Sequence, residues 1–179
     1  MRIWFLLFGL GLGSLPACQS GPAALNDKSV LMHNDFEQSP GWGGAIPTLS
    51  ATEAHSGRWS ISTTPDQPYS YTFARALSDL SPTPLHKLRL EAYALRPKNG
   101  SNAQLIVQVD ASPTDETKVL YASLPLARDV PTTGTWKAVS LPITLPATAS
   151  GANILKIYLW NDQATAPTYL DDVVLRREE

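Results

Sequence analysis

The chain has 179 residues, 43% of them hydrophobic and 17% charged, which is enough for one domain with a buried core and too few for two of ordinary size. Its formal charge of −2, from 14 basic and 16 acidic residues, provides no basic face and excludes nucleic acid as a partner. With 15 Pro and 11 Gly spread between short β-rich runs and no long helical period, the composition predicts an all-β domain with many turns and little helix.

Met1-Arg2 supplies a minimal positive start, and residues 3–13 form an apolar run too short to span a bilayer but of the right length for a signal h-region. The run meets Leu15-Pro16-Ala17-Cys18, which resembles the lipobox of bacterial lipoproteins, with Pro16 where a small residue is usual. The resemblance implies that residues 1–17 are a signal peptide and that Cys18 is acylated, anchoring the protein by about 0.8 kcal/mol per buried CH₂. Cys18 is the only cysteine of the chain, so no internal disulfide competes for it. The alternative is a plain secretory signal with an incidental cysteine. The expected location is the bacterial cell envelope, on a membrane, with residues 18–29 as a small, polar tether and residues 30–176 as the folded domain.

Within the domain, residues 30–36 read as a first strand, ended by Pro40-Gly41-Trp42-Gly43-Gly44. A turn at His55-Ser56-Gly57 feeds a strand with Trp59 and Ile61 on one face, and Tyr69, Tyr71 and Phe73 are expected to share a face of the next. Over residues 85–95, Leu88, Leu90, Ala92 and Ala94 lie on one side and Arg89, Glu91 and Tyr93 on the other. Asn99-Gly100 separates this run from residues 104–110, and Asn-Gly between alternating runs predicts a hairpin. Pairing the two strands would gather Arg89, Glu91, Tyr93, Gln104 and Gln108 on one outer face. Residues 119–126 and 136–143 are further strands. In residues 154–160, Leu155, Ile157 and Leu159 form an apolar face, opposite Lys156, Tyr158 and Trp160. The fold class expected from these runs is a β-sandwich or jelly roll of two antiparallel sheets.

The closing run Tyr169-Leu170-Asp171-Asp172-Val173-Val174-Leu175 sets two adjacent carboxylates inside an apolar strand. Side chains alternate along a strand, so one of the two faces the interior or its rim, where an unpaired carboxylate is costly. Calcium, which takes about 6–8 oxygen ligands, is a suitable partner. If the first and last strands are neighbours, Glu37 and Asp172 would clamp one ion. Asp35 and Asp171 are weaker candidates, and hydrogen-bonded structural carboxylates are the alternative.

In this order, Asn34-Asp35-Phe36-Glu37, His55-Ser56-Gly57, Gly134-Thr135-Trp136 and Tyr169-Leu170-Asp171-Asp172-Val173 resemble the calcium-containing β-jelly-roll carbohydrate-binding modules of galactose-binding-like topology. The resemblance covers about residues 30–176. It implies a structural calcium held by Glu37, by carbonyls from Ser56 to Arg58 and by Asp172, and a sugar site either on the concave sheet face or in loops at one edge. Sugar rings pack their apolar C–H faces on aromatic side chains, while their hydroxyls require amide, carboxylate or guanidinium partners. An outer face carrying Tyr93, Tyr158 and Trp160 beside Arg89, Glu91, Gln104 and Gln108 has that chemistry.

Each of these residues also has a plainer role. Tyr158 and Trp160 can cover the sandwich, and Trp42, Trp59 and Trp136 fit the core or loop anchors. His33, His55 and His86 lack metal-ligand spacing, so the sequence supports neither zinc nor a His-based triad. A glycosidase would need two carboxylates about 5–9.5 Å apart across a cleft; Glu91 and Asp110 could share a sheet face, but Arg89 offers Glu91 an ordinary ion pair. The function expected is a lipid-anchored, non-catalytic carbohydrate-binding module. The alternatives are a structural lipoprotein with an envelope protein partner and, after that, a jelly-roll hydrolase or lyase.

Overall fold

The computed structural model describes residues 27–38, 40–44, 48–161 and 163–178. The signal segment, Cys18 and the tether as far as residue 26 fall outside these residues. The described chain folds into two antiparallel sheets packed face to face, with two helices of four residues each, Leu77–Leu80 and Leu126–Asp129. Among the described residues no helix is long and apolar enough to cross a membrane.

The first sheet runs β3 (Leu49–Ser50), β4 (Ser60–Thr63), β11 (Thr168–Glu178), β6 (Lys87–Leu95), β9 (Lys137–Thr144), with β1 (Val30–Asn34) also on β11. One edge of β11 is shared: residues 168–170 pair with β4, and residues 173–176 with β1. The first and last strands are therefore neighbours, as the clamp argument requires. The second sheet runs β2 (Trp42–Gly43), β5 (Thr72–Ala76), β10 (Ile154–Trp160), β7 (Gln104–Ser112), β8 (Asp115–Pro125).

Period-2 alternation gives each sheet one apolar face, and the two faces close on each other. Leu88, Leu90, Ala92 and Ala94 of β6 and Leu170, Val173 and Leu175 of β11 belong to the same buried cluster as Leu105, Val107 and Val109 of β7 and Leu155, Ile157 and Leu159 of β10. Phe36, Trp42 and Phe73 add an aromatic group, with ring centroids 5.0 Å and 5.8 Å apart along the series. Trp42 is thus a core residue. Pro142 sits in β9, at the edge of its sheet, where a missing backbone donor is tolerated.

The expected hairpin between β6 and β7 does not form. β6 pairs with β11 and β9, whereas β7 pairs with β10 and β8 in the other sheet. Asn99-Gly100 is instead part of a crossover between the layers. Buried Arg96 turns the chain there, donating from Nε to the Ser101 carbonyl at 2.6 Å and from Nη1 to the Val130 carbonyl at 2.7 Å. Gly100 has φ +93°, and its carbonyl accepts the Thr165 N–H at 2.9 Å and the Ala166 N–H at 3.2 Å. Local turn chemistry is the same for a hairpin and for this crossover; the buried guanidinium and the 165–166 segment decide between them.

Candidate functional site

β10 is the centre strand of the second sheet, and its burial alternates without a break from Ile154 to Trp160. With Leu155, Ile157 and Leu159 in the core, Lys156, Tyr158 and Trp160 must face outwards. The register sets Lys156 opposite Gln108, Tyr158 opposite Ile106 and Trp160 opposite Gln104, and β8 then brings Tyr121 opposite Gln108. The outer face so built is an open groove of about 790 Å³, lined by Gly43, Gly44, Tyr69, Thr72, Gln108, Glu116, Lys118, Tyr121, Lys156, Tyr158 and Trp160.

Tyr69 reaches this face through an irregularity. Phe73 stands opposite Ile157 and Tyr69 opposite Trp160, so four steps on one strand match three on the other. An extra residue reverses the side-chain direction. Tyr69 therefore leaves the face that sequence alternation gave it with Phe73, which is in the core. Ser70 absorbs the insertion: its N–H donates to the Leu159 carbonyl at 3.1 Å, and its Oγ accepts the Leu159 N–H at 2.8 Å. Tyr69 and Tyr121 end 53% and 46% exposed, and the Tyr69 ring lies 6.1 Å from that of Tyr158 at 55°.

Beneath the rings runs a connected polar floor. Tyr158 Oη donates to Gln108 Oε1 at 3.0 Å, and Gln108 Nε2 donates to Asp110 Oδ1 at 2.6 Å. Lys156 Nζ meets Asp110 Oδ2 at 2.7 Å and Glu116 Oε1 at 3.1 Å. Burial, reinforced by neighbouring phenols and carboxylates, pushes the Tyr158 hydroxyl up to about 12. The hydrogen bond to Asp110, with help from Glu116, raises Lys156 above the usual lysine value. The floor thus keeps its donors at neutral pH.

The seven residues expected on one ligand face are divided between the sheets. Gln108, Tyr158 and Trp160 line the groove, and Gln104 belongs to the same sheet, opposite Trp160. Arg89, Glu91 and Tyr93 belong to β6, in the first sheet, because the presumed hairpin is a crossover. There Arg89 pairs with Glu178, and Glu91 with Arg176 at 2.9 Å rather than with Arg89. Tyr93 stacks on the His55 ring at 3.6 Å and 12°. Glu91 and Asp110 consequently do not face each other across a cleft. Tyr69 and Tyr121 are contributors that the sequence reading missed. Lys156 was legible from its alternation with Tyr158 and Trp160, whereas Tyr69 is hidden by the bulge.

The acidic residues expected to hold calcium surround the loop at residues 55–59. Glu37 Oε1 accepts the Arg58 N–H at 2.6 Å and the Trp59 N–H at 2.8 Å. Asp172 Oδ1 accepts Ser56 Oγ at 2.7 Å, and its Oδ2 meets His55 Nδ1 at 2.5 Å. Asp171 is the fully buried member of the pair; its Oδ2 accepts the N–H of His55 at 2.8 Å and of Ser56 at 3.2 Å. Burial pushes the Asp171 carboxyl up to about 6 despite these bonds. Both carboxylates reach the same loop because alternation fails at Asp172, whose φ is +49°, next to a register shift between Asp171 and Val174. All-oxygen carboxylates flanking one loop have the donor chemistry of a hard-cation site. Among the described residues no three His, Cys, Asp or Glu side chains converge as a metal cage, so an ion here would draw part of its shell from loop carbonyls.

Solved carbohydrate-binding modules share this fold. The CBM22-1 xylan-binding domain from Paenibacillus barcinonensis Xyn10C aligns with a TM-score of 0.54 at 18% identity, over 83% of this chain and 94% of its own. A xylan-binding domain from CBM 22 aligns with a TM-score of 0.53 at 18% identity, over 84% and 96% respectively. For a family 16 carbohydrate-binding module the values are 0.50, 16%, 75% and 89%. No family model and no curated protein matches the chain. At these identities the likeness establishes the β-sandwich architecture of such modules.

Gly57 tests the loop between the carboxylates. It has φ +56°, and a Cβ there would lie 2.4 Å from Glu37 Oε1, which its two backbone donors hold in place. Gly57→Ala is expected to lower Tm by roughly 3–10 °C, reflecting about 1–3 kcal/mol of strain at ~2–4 °C per kcal/mol. Thermal unfolding checks this, and an unchanged Tm would show that the loop is free to move.

Proposed function

We propose that this chain is a non-catalytic polysaccharide-binding domain whose ligand lies in the groove of the second sheet. The observation that carries this reading is the pairing, in one open groove, of four aromatic side chains (Tyr69, Tyr121, Tyr158 and Trp160) with a floor of fixed polar groups, Gln108 and Lys156. Flat rings accept the C–H faces of sugars, and the amide and ammonium groups meet hydroxyls. An open groove suits a polymer that continues past both ends. Its mix of phenols and ions suits sugar better than an apolar protein surface, which would call for a continuous hydrophobic patch. Xylan is the first ligand to test: the solved neighbours include xylan-binding domains, and a chain of CBM22-1 and GH10 modules from a xylanase, of which this chain covers 29%, was solved with xylohexaose.

Two further elements belong to this reading. Calcium would be held by Glu37 and Asp172 with carbonyls of Ser56 and Arg58, neutralising the carboxylates that converge on the loop. Acylation of Cys18 would hold the domain at a membrane of the bacterial envelope, a reading supported by the sole cysteine standing at the end of a lipobox-like tetrapeptide.

Tyr158→Ala and Trp160→Ala are each expected to weaken polysaccharide binding roughly threefold to tenfold, measured by affinity electrophoresis. Tyr93→Ala, on the opposite sheet, is expected to leave it unchanged. Loss of binding in Tyr93→Ala with none in the groove variants would move the site to the first sheet. Chelation is expected to lower Tm and added calcium to restore it; a Tm indifferent to both removes the ion. Radiolabelled palmitate should enter the wild-type protein in a bacterial host and not Cys18→Ser, and equal labelling of the two would exclude Cys18 as the anchor.

A further inference from the structure

Asp110 is an acidic residue for which sugar binding by itself provides no role. Alternation along β7 places it on the groove side of the second sheet, and its contacts with Gln108 and Lys156 agree, yet it is 0% exposed. A carboxylate removed from water is costly unless paired and hydrogen-bonded, and an apolar residue would cover the same sheet surface without that cost. Its position is accounted for by what it holds. One oxygen fixes the Gln108 amide, which accepts from Tyr158, and the other fixes Lys156, which reaches on to Glu116. Asp110 is therefore the hub that orients three groove-lining side chains without reaching the groove surface itself.

The charges at this end of the groove cancel. Lys118 and Lys156 contribute two positive charges, and Asp110 and Glu116 two negative ones. Lys156 donates one N–H to Glu116 and is ion-paired with Asp110 at 2.7 Å, and Gln108 spends one of its two N–H donors on Asp110. What the Gln108–Lys156–Tyr158 floor leaves for a ligand is N–H donors together with the acceptor lone pairs of Tyr158 Oη. That set matches sugar hydroxyls, which both donate and accept. At Lys156 a ligand carboxylate would meet an ammonium already paired, and would lie beside Asp110 and Glu116; Lys118, the other groove lysine, enters the overall balance of charge.

Resting on the polysaccharide reading, we propose that Asp110 is a positioning residue that sets the groove for uncharged glycans: it orients Gln108 and Lys156 and cancels the Lys156 charge, so that polymers carrying carboxylates are disfavoured.

The test is affinity electrophoresis of the full chain in matched neutral and carboxylated polymers, arabinoxylan against glucuronoxylan and hydroxyethylcellulose against carboxymethylcellulose, at low and high salt. Wild type is expected to favour the neutral member of a pair by about tenfold or more, with little salt dependence. Asp110→Asn is expected to lose about tenfold on the neutral polymer and to gain salt-sensitive retention on the carboxylated one. Glu116 is exposed, so Glu116→Gln tests the charge balance without risk to the core; it should shift the preference the same way by roughly twofold to threefold. A wild type that holds both members equally, or a Glu116→Gln variant with the wild-type preference and no new salt dependence, would overturn the inference and leave the polysaccharide reading standing. Wild type retained by none of the polymers would overturn both.

Discussion

The constraint on which the rest of this structure depends is the alternation along β10. Its inward side chains, Leu155, Ile157 and Leu159, lie in the middle of the core, and its outward ones, Lys156, Tyr158 and Trp160, carry the groove. The two sets are covalently interleaved, so a slip of one residue would send the aromatic and ammonium groups inwards and the aliphatic ones into water. Core packing therefore aims the groove. The neighbouring register does the rest, because antiparallel pairing with β7 sets Gln108 beside Lys156, and pairing of β7 with β8 adds Tyr121.

Among the described residues the sandwich buries two carboxylates, and it stabilises them differently. Asp171 is surrounded by backbone donors from His55, Ser56 and Asp172, and burial still raises its carboxyl. Asp110 is held by side chains, an amide and an ammonium group. The first arrangement fixes a loop against the closing strand. The second arranges groups that face the solvent, and this contrast marks the groove side of the second sheet as the side where polar geometry is controlled.

Most of the strands were legible because their apolar positions alternate cleanly; residues 154–160 are β10 without adjustment. What alternation cannot convey is which sheet a strand joins. Arg89, Glu91 and Tyr93 face outwards as read, but from the first sheet, because a buried Arg96 directs the chain across the sandwich after β6. Nor can strict alternation anticipate a residue that interrupts it. Tyr69 is turned into the groove by a bulge stabilised through Ser70, and Asp172 is turned by a left-handed backbone, so in both places the side-chain direction differs from a period-2 count. That Glu37 and Asp172 lie towards one end of the sandwich was legible from pairing the first and last strands, whereas the loop at residues 56–58 that both reach was implied only by the family resemblance.

The most direct test of the account is an NMR titration of the domain with xylohexaose, following the backbone amides and the tryptophan indole N–H groups. If the ligand lies in the groove, the signals of Trp160, Tyr158, Lys156, Gln108 and Tyr121 move together and saturate, while those of Arg89, Glu91 and Tyr93 stay in place. Saturating shifts confined to the first sheet, around Tyr93 and His55, would contradict it.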